Sequence, residues 1–235
     1  MKTKEKHRRF NNKTDGVSGR PGKPGYIVVE GPIGAGKTSL AQRLSLAYGG
    51  DLLLEKPQEN PFLERFYHAR QQFALPTQLF FLFQRARQLR ALKQADMFRP
   101  VRVADFLLEK DYLFARLNLD DDELRLYEQV YAQMSLDLPA PDMVIYLQAP
   151  VDVLLERIGK RGIEFERLIE RDYLEALSDA YTRFFYHYAN APLLVVNAAE
   201  INFVDSDADF QALLQHIRSI HSGGRHFFNP LPLSL

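Results

Sequence analysis

"YIVVEGPIGAGKTSLAQRL", Tyr26 to Leu44, is the stretch on which the reading of this chain turns. Tyr26 to Glu30 is a short apolar run suited to a buried strand, and Ser39 to Tyr48 has helical periodicity closed by Gly49 and Gly50. Between them, Gly31, Gly36, Lys37 and Thr38 meet the spacing G-x-x-x-x-G-K-T. A glycine-rich turn from strand to helix can aim successive N–H groups into a concave nest that carries the positive end of the helix dipole. Such a nest suits a polyphosphate. The loop Gly31, Pro32, Ile33, Gly34, Ala35, Gly36, Lys37, Thr38 and Ser39 is therefore expected to bind a nucleotide. Lys37 would reach the outer phosphates, and the Thr38 hydroxyl would join the ligands of a magnesium ion bridging their oxygens.

Working outward, 235 residues suffice for one substantial α/β domain. Thirty basic and thirty acidic side chains cancel, so the overall charge makes no case for nucleic acid or a membrane as partner. The chain has no cysteine, which excludes disulfides and cysteine-based metal or nucleophile chemistry and fits a reducing compartment. With no apolar run of membrane length and no apolar signal core, a cytoplasmic protein is expected. Residues Met1 to Pro24 are rich in Lys, Arg, Asn and Gly and read as a disordered basic tail, leaving 25–235 as the domain. "NKTD" at Asn12 to Asp15 matches a guanine-reading tetrapeptide, but it precedes the phosphate loop in a stretch that cannot pack, so the match is set aside.

From Gly25 onward apolar strands alternate with helical periodicity. Tyr26 to Glu30, Asp51 to Glu55, Val101 to Asp105, Met143 to Gln148 and Leu193 to Val196 read as five parallel strands. Helices are expected over Thr77 to Ala95, Asp121 to Met134, Val151 to Ile158, Asp172 to Tyr188 and Asp207 to Ile220. The pattern predicts a P-loop NTPase-type α/β fold, a doubly wound parallel five-stranded sheet with helices on both faces and ligands at the carboxyl ends of the strands. Glu55 and Asp105 fall at such ends. Glu55 could accept a proton from an attacking hydroxyl, and Asp105, ending an apolar strand, suits a magnesium-linked acid.

Together with the phosphate loop, "LLLEKPQENPFLERFY", Gln78 and Arg85 at seven-residue spacing, and "YLQAPVDVLLERIGKRGIEFER" make the chain resemble the deoxynucleoside kinase family, from Tyr26 to about Ile217. The resemblance implies ATP as phosphate donor, Mg2+, and transfer of the γ-phosphoryl group to the 5′-hydroxyl of a deoxynucleoside. It implies Glu55 as the base and Tyr67 as the residue holding the sugar 3′-hydroxyl. Gln78 and Arg85 would read the base edge, and a helix places them on one face. Arg157 and Arg161 would be lid arginines stabilising the transferring group, helped by Lys160 and Arg167, and Glu166 would pair with the sugar. "FVDSDADF", Phe203 to Phe210, resembles the loop that packs on the donor adenine, and a homodimer is implied.

At the third strand the chain departs from the family's acid-Arg-Ser triplet and reads "VADFLLEKD". With Asp105 as the acid, Asp111 falls at the spacing of a base-reading aspartate and the arginine becomes Phe106. Two other readings share the phosphate loop. A nucleoside monophosphate kinase such as thymidylate kinase would need basic residues for the acceptor phosphate, and the "EKP" and Gln78 context argues against it. A GTP-dependent switch would need a placed guanine-specificity motif.

Overall fold

The computed structural model describes residues 25–93, 101–134 and 140–230, so the basic tail expected over Met1 to Pro24 lies outside the described residues. Six strands form one sheet: β1 (Tyr26–Glu30), β2 (Asp51–Leu53), β3 (Arg102–Ala104), β4 (Met143–Gln148), β5 (Leu193–Asn197) and β6 (Arg225–Phe228). Their order is β2-β3-β1-β4-β5-β6, and every pairing is parallel. All five residues of β1 are buried, because Ile27 faces Val103 on one neighbour and Met143 on the other. After β1 the chain passes to one side and later returns to the other. The loop that follows β1 therefore stands at the point where the strand order reverses, where a crevice opens for ligands.

Five strands were expected and six are present among the described residues; β6 is the correction. Its four residues, Arg225 to Phe228, alternate between exposed and half-buried, as suits an edge strand, and so lack the continuous apolar run of the buried strands. The expected ends of β2 and β3 also shorten, which leaves Glu55 and Asp105 in the loops just past their strands.

Eight α-helices flank the sheet among the described residues: α1 (Lys37–Tyr48), α2 (Leu63–His68), α3 (Arg70–Lys93), α4 (Lys110–Asn118), α5 (Asp121–Gln133), α6 (Val151–Arg161), α7 (Arg171–His187) and α8 (Asp207–Ser219). Gly49 ends α1 in the left-handed conformation, returning its N–H to the carbonyls of Ser45 and Leu46. Asp120 and Glu123 form a capping box on α5, and the Ser206 hydroxyl accepts from Asp209 N–H at the start of α8. Helix α3 begins seven residues before the expected Thr77 and carries Pro76 inside it. An interior proline removes one helical hydrogen bond. Buried Ala74 and Thr77 on either side, and the Asn60 side chain donating to the Thr77 carbonyl, hold the segment in place.

The core runs through the sheet and is capped by aromatic rings, with Tyr146 stacked on Phe185 at 4.3 Å and on Tyr181 at 6.2 Å. Among the described residues no helix is long and apolar enough to cross a membrane.

Candidate active site

The phosphate loop closes where its sequence requires glycine. Gly36 sits at φ +95° as the residue before α1, and a Cβ at Gly34, itself at φ +86°, would lie 2.7 Å from the Leu154 carbonyl oxygen. Lys37 folds back over the loop and donates to the carbonyls of Gly31 at 2.8 Å and Pro32 at 3.1 Å. Burial lowers its pKa, and nearby Lys110 adds to the shift. Thr38 Oγ1 donates to Asp105 Oδ2 at 2.6 Å, and the Glu55 N–H donates to Asp105 Oδ1 at 2.7 Å. A hydroxyl and a carboxylate meeting beside the loop form a hard oxygen pair of the kind that binds Mg2+ together with phosphate oxygens. Among the described residues no group of three or more acidic, histidine or cysteine side chains could hold a metal alone, so this pair fits an ion shared with its substrate.

Beyond the loop a cavity of about 440 Å³ opens, within the range of small-molecule sites. Its wall includes Lys37, Thr38, Glu55, Tyr67, Gln78, Arg85, Asp105, Arg161 and Glu166, bringing most of the expected residues to one space. Arg85 lies between two acids. Its Nε donates to Glu55 Oε1 at 2.7 Å, Nη2 reaches the same oxygen, and Nη1 pairs with Asp111. Asp111 is wholly buried behind this guanidinium, whose plane also sits 4.9 Å from the centre of the Phe81 ring. Burial alone would raise the Glu55 carboxyl, but Arg85, Lys110 and Lys37 outweigh it and bring it down to about 2. Glu55 is therefore ionised, with Oε1 committed to Arg85.

On the far wall Tyr67 stacks on Phe165 with centroids 6.2 Å apart, and burial raises its hydroxyl pKa well above the usual value. Arg161, the last residue of α6, clasps Glu166 through Nε at 2.9 Å and Nη2 at 2.5 Å. Arg157, one turn earlier, instead donates to the Ala198 carbonyl at 2.7 Å and lies outside the cavity wall. Of the loop itself, Ile33, Gly34, Gly36, Lys37, Thr38 and Ser39 line the cavity, while Gly31, Pro32 and Ala35 shape the turn behind them. The Phe203 ring packs against Gly36, and its carbonyl is held by Arg43 at 3.1 Å, which ties the Phe203 to Phe210 segment to α1.

Sequence reading overlooked two groups here, Glu30 and Lys110. Glu30, the last residue of β1, is wholly buried and accepts from Leu107 N–H at 2.8 Å, the Tyr181 hydroxyl at 2.7 Å and Gly31 N–H at 3.1 Å. Lys110, the first residue of α4, puts its ammonium 3.5 Å from both Glu30 and Glu55. An acid ending an apolar strand beside Gly31 was a visible signal for Glu30. For Lys110 the signal was weaker: a lysine closing the apolar run "FLLEK" after Asp105.

These features together define a phosphotransferase site, a cavity with the phosphate loop along one wall and buried polar side chains along the other. Residues 27–222 match the family model for deoxynucleoside kinase, and the chain belongs to that family. It is 35% identical to the deoxyguanosine kinase of Bacillus subtilis over 203 residues, covering 83% of this chain and 97% of that one. It is 29% identical to the deoxyadenosine kinase of Lactobacillus acidophilus, covering 76% of this chain and 87% of the other. Among solved structures, deoxyadenosine kinase from M. mycoides with bound dATP superimposes with a TM-score of 0.72 at 26% identity, covering 83% of this chain and 99% of that one. This chain is thus a deoxynucleoside kinase, an enzyme that phosphorylates a hydroxyl of its nucleoside.

Proposed function

We propose that the enzyme transfers the γ-phosphoryl group of ATP to the 5′-hydroxyl of a purine deoxynucleoside, with Mg2+ held by Thr38 and Asp105. The observation that carries this reading is the unbroken chain of contacts from Thr38 through Asp105 and Glu55 to Arg85 and Asp111, which joins the phosphate loop to the acceptor wall. Glu55 Oε2 accepts the proton of the attacking hydroxyl. Lys37 and Arg161 offset charge on the transferring group, with Arg157 joining them when its segment closes over the phosphates. Tyr67 and Glu166 hold the sugar, and Gln78 and Arg85 meet the base, with Asp111 fixing the guanidinium. Thr38 and Asp105 would hold the metal ion, which would supply positive charge against that of the donor phosphates. A purine is favoured because the B. subtilis and L. acidophilus relatives are named for deoxyguanosine and deoxyadenosine. The reading includes a cytoplasmic homodimer.

Transfer of labelled phosphate from ATP to a panel of deoxynucleosides, ribonucleosides and nucleoside monophosphates tests the reading. Product from deoxyadenosine or deoxyguanosine is expected. Product from a monophosphate in preference to its nucleoside would replace this reading with a nucleoside monophosphate kinase.

Gln78 is buried on α3 and faces the cavity, so its amide can present a donor and an acceptor together to a base edge. Gln78→Ala is expected to raise the acceptor KM about tenfold and to narrow the preference between bases, a cost of roughly 1 to 3 kcal/mol for unpaired polar edges. Unchanged affinity and preference would remove Gln78 from the base pocket.

A further inference from the structure

Lys110 is 2% exposed at the first position of a helix. Lysine is almost never buried without a partner, and a cation at a helix N-terminus opposes the helix dipole. Something in the site therefore holds it there. Glu30 is one partner, at 3.5 Å, but Glu30 already accepts from two backbone N–H groups and the Tyr181 hydroxyl. The second partner is Glu55, and the contact is to Oε2, the oxygen that Arg85 leaves free. Phe106 is wholly buried in the hydrophobic core. Lys110, four residues further on and at the start of α4, brings its charge to the cavity wall.

We propose that Lys110 is the positioning residue for Glu55: anchored on Glu30 beneath the phosphate loop, its ammonium holds Oε2 toward the acceptor hydroxyl. Two cations then grip Glu55 from two helices, Arg85 of α3 on one oxygen and Lys110 of α4 on the other. The carboxylate cannot rotate away from the hydroxyl, and after transfer Lys110 stays beside it to offset local charge. A plain counter-ion for Glu30 would need no contact with Glu55.

This inference rests on Glu55 being the group that accepts the hydroxyl proton, and a double-mutant cycle separates the two. Lys110→Met is expected to lower kcat about 30-fold, the size of one charge-assisted hydrogen bond, with KM for ATP and for the nucleoside within about threefold of wild type. Lys110→Arg, which restores the charge, is expected to recover most of that loss. In a Glu55→Gln background the Lys110→Met change should cost less than about threefold, because the carboxylate it positions is gone. Rates are expressed per folded protein, measured by circular dichroism. The same 30-fold loss in both backgrounds, with Glu55→Gln itself impaired, would overturn the role of Lys110 and leave that of Glu55 standing. Wild-type turnover by Glu55→Gln would remove both. Failure of Lys110→Met and Lys110→Arg alike to fold would make Lys110 a structural counter-ion of Glu30 and overturn the inference.

Discussion

Glu55→Gln is expected to lower kcat at least about a hundredfold while ATP binding stays close to that of the wild type, since proton acceptance by a positioned base matters mainly in the transition state. The amide keeps the size of the carboxylate but loses the charge on which Arg85 and Lys110 converge. Two buried cations are then left facing a neutral group, so some loss of thermal stability should accompany the loss of rate. ATP is expected to feel little of this, because Lys37, proposed with the loop backbone to receive its phosphates, hydrogen-bonds the Gly31 and Pro32 carbonyls rather than Glu55. Steady-state kinetics with an independent ATP-binding isotherm checks it. Turnover near that of the wild type would remove Glu55 from the proposed mechanism.

Asp105→Asn should do comparable damage by a different route. Asp105 accepts from the Thr38 hydroxyl through one oxygen and from the Glu55 N–H through the other, so it links the phosphate loop to the residue proposed as base. Burial raises its pKa, which means the folded site holds this charge at a cost that a bound cation would relieve. Asparagine retains one acceptor oxygen and loses the charge. The magnesium concentration for half-maximal rate is expected to rise and kcat to fall by two orders of magnitude or more, about 3 kcal/mol, with nucleoside binding less affected. Magnesium titrations of both proteins decide the matter. Superimposable curves would make Asp105 a structural residue and place the metal-linked acid elsewhere.

The parts of this site legible in the sequence are those governed by local geometry. Gly36 and Gly34 must adopt left-handed backbone, so the phosphate loop could be read residue by residue. Glu55 and Asp105 could be read because acids following apolar strands fall on the ligand side of a parallel sheet. Lys110 could not. Its place in the site depends on Phe106 turning into the core and α4 starting four residues later, and both are decided by packing across the molecule rather than by neighbours in the chain. Helix α4 itself was missed because "KDYLFARLN" is short and lies behind a loop of uncertain length. Strand β6 was missed because an edge strand has only one neighbour to satisfy and needs no apolar run. Arg85 was read as a residue for the base edge alone; its position between Glu55 and Asp111 needs three separate segments to converge.

The strand order has a consequence for how this enzyme can change. Seen from β1, the β2–β3 side of the sheet delivers Glu55, Asp105, Lys110 and Asp111, with Gln78 and Arg85 on the intervening α3, all from one uninterrupted stretch of the chain. The β4–β5 side delivers α6 with its arginines and the segment around Phe203 that braces the phosphate loop. On the proposed roles, most residues that choose the nucleoside come from one contiguous block of sequence, whereas those that handle the donor are divided among the phosphate loop, Asp105 and the β4–β5 side. Drift within the first block can retune the acceptor so long as Asp105 keeps its partnership with Thr38 of the phosphate loop. Glu166 crosses that division, reaching the cavity from the β4 side, and any exchange of blocks between relatives must keep it matched to Tyr67.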